Sequence, residues 1–183
     1  MYDQYNRKID YLRISLTDRC NLHCHYCQPE ISEHVPHNEI LRYEELLRIC
    51  RAALQLGIRK FKITGGEPLL RKGCSDFIAR LKQMEGVEQV TLTTNGTLLS
   101  QQLPALIAAG VDSINVSLDT LDAAYYTELP AAVDSVLKSL QELQSAGIPF
   151  KLNCVPLAEN GLTDIMQLLS WRINIRHHCA LLS

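Results

Sequence analysis

One phrase recurs four times along the chain: an amphipathic helical stretch, a glycine, a β-branched residue and then a strand. Gly57-Ile58 leads into 59–64, Gly86-Val87 into 88–94, Gly110-Val111 into 112–118, and Gly147-Ile148 into 149–155. Each glycine falls where a helix should end, at the position whose left-handed backbone glycine adopts at least cost. The stretches ahead carry helical spacing. Leu46, Ile49, Cys50 and Ala53 recur at i, i+3, i+4 and i+7, as do Val133, Val136, Leu137 and Leu140. Phe77, Ile78 and Leu81, then Leu103, Leu106 and Ile107, give shorter versions. With a first strand over 11–16, five strands alternate with helices, which implies βαβ units and a parallel sheet.

A sixth strand is expected near 173–182, after a helix at about 163–171 carrying Ile165, Leu168 and Leu169. Here the phrase fails. No glycine separates helix from strand, and Arg176-His-His-Cys179 is polar where a buried parallel strand is apolar. A naturally short last strand would account for this. The break in the repeat points instead to a truncated or altered end over 156–183.

Parallel α/β folds place their sites at the carboxyl ends of the strands. After the first strand come Thr17, Asp18, Arg19 and then Cys20, Cys24 and Cys27, separated by three and two residues. Three thiolates this close on one loop can hold three irons of a cubane and leave the fourth iron open. Fe–S clusters normally take four cysteines, so a compact trio suggests a cluster that performs chemistry. Tetrahedral zinc is the competitor, because His23 or His25 could complete a Cys3His site. Structural zinc sites, however, usually pair two separated knuckles. Incidental cysteines are the third reading. A disulfide framework fits poorly: seven cysteines is an odd number, and Cys50, Cys74, Cys154 and Cys179 are scattered through apolar segments, where cysteine is a small buried hydrophobe.

The second strand ends in Thr64-Gly-Gly-Glu-Pro68. Two glycines there let backbone approach a ligand, and Glu67 adds a charge at the same edge; a plain glycine turn is the alternative. The third ends in Thr93-Thr-Asn-Gly96, where Thr93 and Asn95 offer donors and acceptors. The fourth places Asn115, Ser117 and Asp119 on one side, a costly arrangement in a sheet core unless they line a cavity. Lys151 and Asn153 follow in the same register on the fifth. Lys151 either meets an anion such as phosphate or snorkels to the surface.

Composition narrows the classes. The chain has 183 residues, 46% hydrophobic and 21% charged, enough for one core without staples. A net charge of −2 with no basic block gives no sign of nucleic-acid binding. No apolar run reaches the roughly 20 residues that span a bilayer. The polar start Met-Tyr-Asp-Gln-Tyr-Asn-Arg-Lys lacks a signal-peptide core. A reducing, cytoplasmic setting is expected.

Cys20-Asn-Leu-His-Cys24-His-Tyr-Cys27, followed by Gly65-Gly-Glu-Pro68, resembles the radical S-adenosylmethionine (SAM) enzymes. The phrases over 12–22, 62–71, 92–99 and 114–122 are similar to the GTP 3′,8-cyclase branch of molybdenum-cofactor biosynthesis, and the likeness runs from about 9 to 155. The resemblance implies a partial (βα)6 TIM-like barrel forming one radical SAM core domain over 1–183, without the family's C-terminal second-cluster region. It implies that Cys20, Cys24 and Cys27 ligate a [4Fe-4S] cluster whose open iron binds SAM. Tyr26, Gly65, Gly66, Glu67, Asn115 and Ser117 would contact SAM, and Arg13, Lys62, Thr93 and Lys151 would hold GTP. Arginine is common in the family where Lys62 stands; lysine keeps the charge but loses the bidentate fork. The implied reaction is reductive SAM cleavage that starts cyclisation of GTP to (8S)-3′,8-cyclo-7,8-dihydroguanosine 5′-triphosphate. The implied partners are a low-potential donor such as flavodoxin or ferredoxin, and a second copy in a homodimer. Another substrate, such as a peptide or small metabolite, and an inactive cluster- or zinc-binding fragment are the competing expectations.

Overall fold

Polar and apolar side chains alternate along every strand, and that alternation decides which way the sheet faces. In a computed structural model, which describes residues 2–22, 24, 27, 35–122, 132–155, 166–168 and 170, the strands are Tyr11–Ser15 (β1), Lys60–Thr64 (β2), Gln89–Thr94 (β3), Ser113–Ser117 (β4) and Phe150–Asn153 (β5). All pair in parallel, in the order β1-β2-β3-β4-β5. The helices are Tyr43–Gln55 (α1), Cys74–Lys82 (α2), Leu99–Ala108 (α3) and Ala132–Ser145 (α4). Strand order follows chain order without a reversal, so every crossover steps the same way. Right-handed crossovers then put all four helices on one face, where consecutive helices pack side by side. This is the wall of a partial TIM-like barrel, as expected, and not a doubly wound sheet.

The helix-facing residues Ile14, Phe61, Ile63, Leu92, Ile114 and Val116 are buried and join Leu47, Phe77, Ile78 and Leu140 in one core. The opposite, inner face carries Arg13, Lys62, Thr93, Asn115, Ser117 and Lys151, all partly or fully exposed.

Three of the four recurrent glycines end their helices in the same way. Ile58 donates to the Ala53 carbonyl at 3.0 Å, Val111 to Leu106 at 3.2 Å and Ile148 to Leu143 at 3.1 Å, around a left-handed glycine each time. The second phrase differs from expectation. Helix α2 stops at Lys82, and an extra turn, closed by the Val87 amide donating to the Met84 carbonyl, separates it from Gly86. Residues 166–168 and 170 are helical, within the expected helix at 163–171. The expected sixth strand at 173–182 lies outside the described residues. No helix among the described residues is long and apolar enough to cross a membrane.

Candidate functional site

The loop after β1 is laid down as a continuation of the β1–β2 ladder. Leu16 donates to the Thr64 carbonyl at 2.8 Å, Gly66 to the Thr17 carbonyl at 2.7 Å, and Glu67 to the Arg19 carbonyl at 2.7 Å. A Cβ at Gly65 would stand 2.6 Å from the Thr17 oxygen, and one at Gly66 would collide with the Arg19 carbonyl. The two glycines are therefore required by the chain's own cysteine loop crossing over them. The Gly66 amide is already taken by the Thr17 carbonyl, so the expected backbone approach of a ligand at this turn does not use it.

Glu67 also departs from expectation. Its carboxylate is fully buried and presents no charge at the sheet edge. Oε1 accepts from the Leu69 amide at 2.9 Å and the Thr94 hydroxyl at 2.8 Å, while Oε2 accepts from the Asn95 amide at 2.7 Å. Burial pushes its carboxyl above the usual range, against the pull of those three donors. Thr94 ends β3 and Asn95 follows it, so Glu67 clamps the β2 turn to the β3 turn.

The clamp reaches the first cysteine. Asn95 Nδ2 donates to Asn21 Oδ1 at 2.9 Å and stands 3.7 Å from Cys20 Sγ, and Asn95 Oδ1 accepts from both the amide and the hydroxyl of Thr97. Asn21 Nδ2 donates to the Thr97 hydroxyl at 2.9 Å, and the Leu22 amide donates to Cys20 Sγ at 3.4 Å. Sequence reasoning placed Asn95 at the mouth but missed its bond to Asn21 and its approach to sulfur. Nothing local in the sequence marks a contact between residues 74 positions apart.

Cys20 and Cys24 are half-buried and Cys27 is exposed, whereas Cys50, Cys74 and Cys154 are buried. Burial pushes the Cys20 thiol up, opposed by the N–H donors of Leu22 and Asn95. Burial, partly offset by a backbone hydrogen bond, takes Cys50 to about 11, and Cys74 rises to about 12 chiefly through burial, which keeps both protonated and inert. The Cys27 amide donates to the Cys24 carbonyl at 2.9 Å, closing a turn between the last two thiols. Among the described residues, no three His, Cys, Asp or Glu side chains close around one ion position. A cubane held by one thiolate per iron needs no such common centre. Tyr26 lies outside the described residues.

The sheet register sorts the inner face into rows. Arg13 lies opposite Lys62, and Thr93 opposite Asn115, which lies opposite Lys151. Ser117 and Asn153 form the row nearest the strand ends. Lys62 is held below the usual lysine range by burial and by the like charges of Arg13 and Lys151. Three cations from β1, β2 and β5 thus share one field, and none of them is paired with a carboxylate among the described residues. The Thr93 hydroxyl is buried beside them without a hydrogen-bond partner. Unneutralised cations and an orphan hydroxyl on one face suit a multivalent anion. Lys151, though exposed, belongs to this group. Asp119 does not join Asn115 and Ser117: it lies past the end of β4, is buried, and accepts the Val155 amide at 2.9 Å.

Comparison with known proteins bears on the family and the fold. The profile of the radical SAM superfamily matches residues 14–171. The GTP 3′,8-cyclase of Thermodesulfovibrio yellowstonii is 44% identical over 182 residues, covering 97% of this chain and 56% of that protein. That of Geobacter sulfurreducens is 47% identical over 168 residues, covering 90% and 51%. The chain thus spans about half the length of the curated relatives it matches. Among solved structures, Streptococcus suis SuiB bound to S-adenosylmethionine superposes with a TM-score of 0.71 at 23% identity, over 95% of this chain and 39% of that one. The anSMEcpe structure with bound AdoMet gives 0.74 at 17% identity, over 94% and 50%. At such identities these two speak to the fold alone. On the profile match across most of its length, the chain belongs to the radical SAM superfamily.

Proposed function

We propose that this chain carries the radical SAM core of a GTP 3′,8-cyclase acting in molybdenum-cofactor biosynthesis. The observation that carries the reading is that the cation group of Arg13, Lys62 and Lys151 lies on the inner face of the sheet whose strand ends carry the three-cysteine loop. In this reading Cys20, Cys24 and Cys27 hold a [4Fe-4S] cluster. Bound together, cluster and SAM supply reductive cleavage of SAM and the hydrogen abstraction that starts cyclisation of GTP to (8S)-3′,8-cyclo-7,8-dihydroguanosine 5′-triphosphate.

The chain's own residues bind and orient. Arg13, Lys62 and Lys151 neutralise the triphosphate, and the Thr93 hydroxyl finds its missing partner on the nucleotide. Tyr26, Gly65, Asn115 and Ser117 contact SAM. Gly66 contributes through backbone other than its amide, and Glu67 by holding the turn. The Leu22 and Asn95 N–H groups orient the Cys20 sulfur. The extent of this domain over 1–183, a cytoplasmic setting, a flavodoxin- or ferredoxin-type donor and a homodimer belong to the same proposal.

Anaerobic reconstitution with iron and sulfide tests it. The expected result is about four irons per chain, SAM cleavage on reduction, and binding of GTP in preference to other nucleotides. Replacing Cys20, Cys24 or Cys27 with alanine should abolish cleavage, while Cys50→Ala and Cys74→Ala keep the iron. Bound zinc without SAM cleavage, or iron lost from Cys50→Ala, would overturn the assignment. Cleavage without any GTP binding would move the chain to another substrate.

A further inference from the structure

Beside the cysteine loop, and lined by none of the inner-face residues, lies a cavity of about 530 Å3. Arg19, His37, Arg71 and Lys72 surround it, with Ile40 and Leu70 between them, and no carboxylate lines it among the described residues. Arg19 Nε is buried without a hydrogen-bond partner. Arg71 lies over the Tyr43 ring at 4.3 Å and donates only to the neutral carbonyls of Leu16 and Leu41, so its charge is uncompensated. His37 and Lys72 take part in no ion pair among the described residues. A smaller hollow of about 250 Å3 shares Ile40 and Arg71 with the first and adds Val35 and Leu41. Its one carboxylate among the described residues, Asp18, accepts the Val35 amide at 2.7 Å. Val35, Leu41 and Leu70 are each more than 40% exposed.

An apolar centre within a charged rim is how transient protein interfaces are built, and a rim of one sign selects a partner of the other. The position says which partner. Arg19 lines the cavity and directly precedes Cys20. The proposed reaction consumes an electron from outside the chain, and the inner face is committed to SAM and nucleotide. We propose that this cavity docks an acidic one-electron carrier protein, a site that rests on the function proposed above. In the step it serves, the carrier is oxidised by one electron and the cluster held by Cys20, Cys24 and Cys27 is reduced by one, with no bond made or broken.

The test places negative charge at two exposed rim positions, His37→Glu with Lys72→Glu, neither of which is among the cysteines or the inner-face residues assigned above. Lys138→Glu on α4 is the control. Photoreduced flavodoxin is the acidic probe, and both its dissociation constant and its rate of reducing the reconstituted cluster are measured across a salt series. At low salt the double variant should bind at least about tenfold more weakly and be reduced correspondingly more slowly. The gap should close as salt rises. Lys138→Glu should match wild type, and reduction by dithionite should be unchanged in all three. Equal binding and reduction in wild type and double variant would overturn the proposal. So would displacement of flavodoxin by millimolar inorganic phosphate but not by chloride of equal ionic strength, which would make this a small-anion site. A chain that assembles no cluster yet binds flavodoxin with this charge dependence fails the proposed function and not the docking site.

Discussion

The Asn95 amide donates to Glu67 Oε2 at 2.7 Å, so the turn after β3 hangs on a carboxylate from the turn after β2. The Asn95 side chain then bonds Asn21 and comes within 3.7 Å of the Cys20 sulfur. Three consecutive strand ends are joined through one buried acid. Replacing Glu67 with alanine would strand three donors, the Leu69 and Asn95 amides and the Thr94 hydroxyl, in a place water does not reach. Each unsatisfied buried donor costs about 1–3 kcal/mol. Glu67→Ala should lose about 3 kcal/mol or more, read as a lower urea midpoint at unchanged slope. A midpoint equal to wild type would show that the carboxylate does not hold these turns.

Two glycine substitutions separate crowding from backbone strain. At Gly147 the backbone is left-handed, with φ +68°, but nothing lies within 4 Å of where a Cβ would stand. Gly147→Ala should cost only the left-handed penalty of about 1–2 kcal/mol. At Gly66 the obstacle is the Arg19 carbonyl, which is backbone and cannot swing aside. Gly66→Ala should cost more than Gly147→Ala and should also lower iron incorporation, because the cysteine loop must lift off the β2 turn. Thermal melts of the two variants with iron analysis decide the matter. Equal losses and full iron content would remove the docking role of Gly66.

The elements most legible in the sequence were those set by neighbours in the chain. Strands β2 to β5 fall where the alternation puts them, and Gly57, Gly110 and Gly147 end helices because the residues within one turn require it. What could not be read depends on residues far apart. Whether Glu67 faces solvent or core is decided by Thr94 and Asn95, 27 and 28 positions away. Asp119 continues the alternation of β4 in sequence, but the strand ends at Ser117 and the side chain turns to Val155. The cation group was half-legible. The strand pattern alone singled out Lys151, the family resemblance joined it to Arg13 and Lys62, and the sheet gives the physical reason, since β1, β2 and β5 turn all three to one face.

Asn95→Ala tests the contact to sulfur. The substitution removes the Nδ2 donor facing Cys20 while the Leu22 amide keeps its own bond at 3.4 Å. Hydrogen bonds to cluster sulfurs stabilise the more negative, reduced state and raise the potential. The reconstituted variant should therefore show a more negative midpoint in a redox titration followed by electron paramagnetic resonance, with iron content close to wild type. An unchanged midpoint would mean that Asn95 only holds Asn21 and Thr97 in place.

Lys62 carries a prediction in which binding and stability move in opposite directions. Burial and the charges of Arg13 and Lys151 hold its pKa below the ordinary 10.5. A cation whose folded pKa is depressed destabilises the fold wherever it is charged in both states, which is everywhere below the folded value. Between that value and 10.5 the unfolded chain binds more protons, so the deficit shrinks as pH rises. Lys62→Gln should thus gain stability at neutral pH, by no more than about 1 kcal/mol given its partial exposure. That gain should fade in alkaline buffer. The same change should weaken triphosphate binding, so that GTP raises the melting temperature of wild type more than that of the variant. Melts of both proteins at neutral and alkaline pH, with and without GTP, read all three effects. A variant less stable than wild type at neutral pH would show that Lys62 is already neutralised within the fold, and would remove it from the anion site.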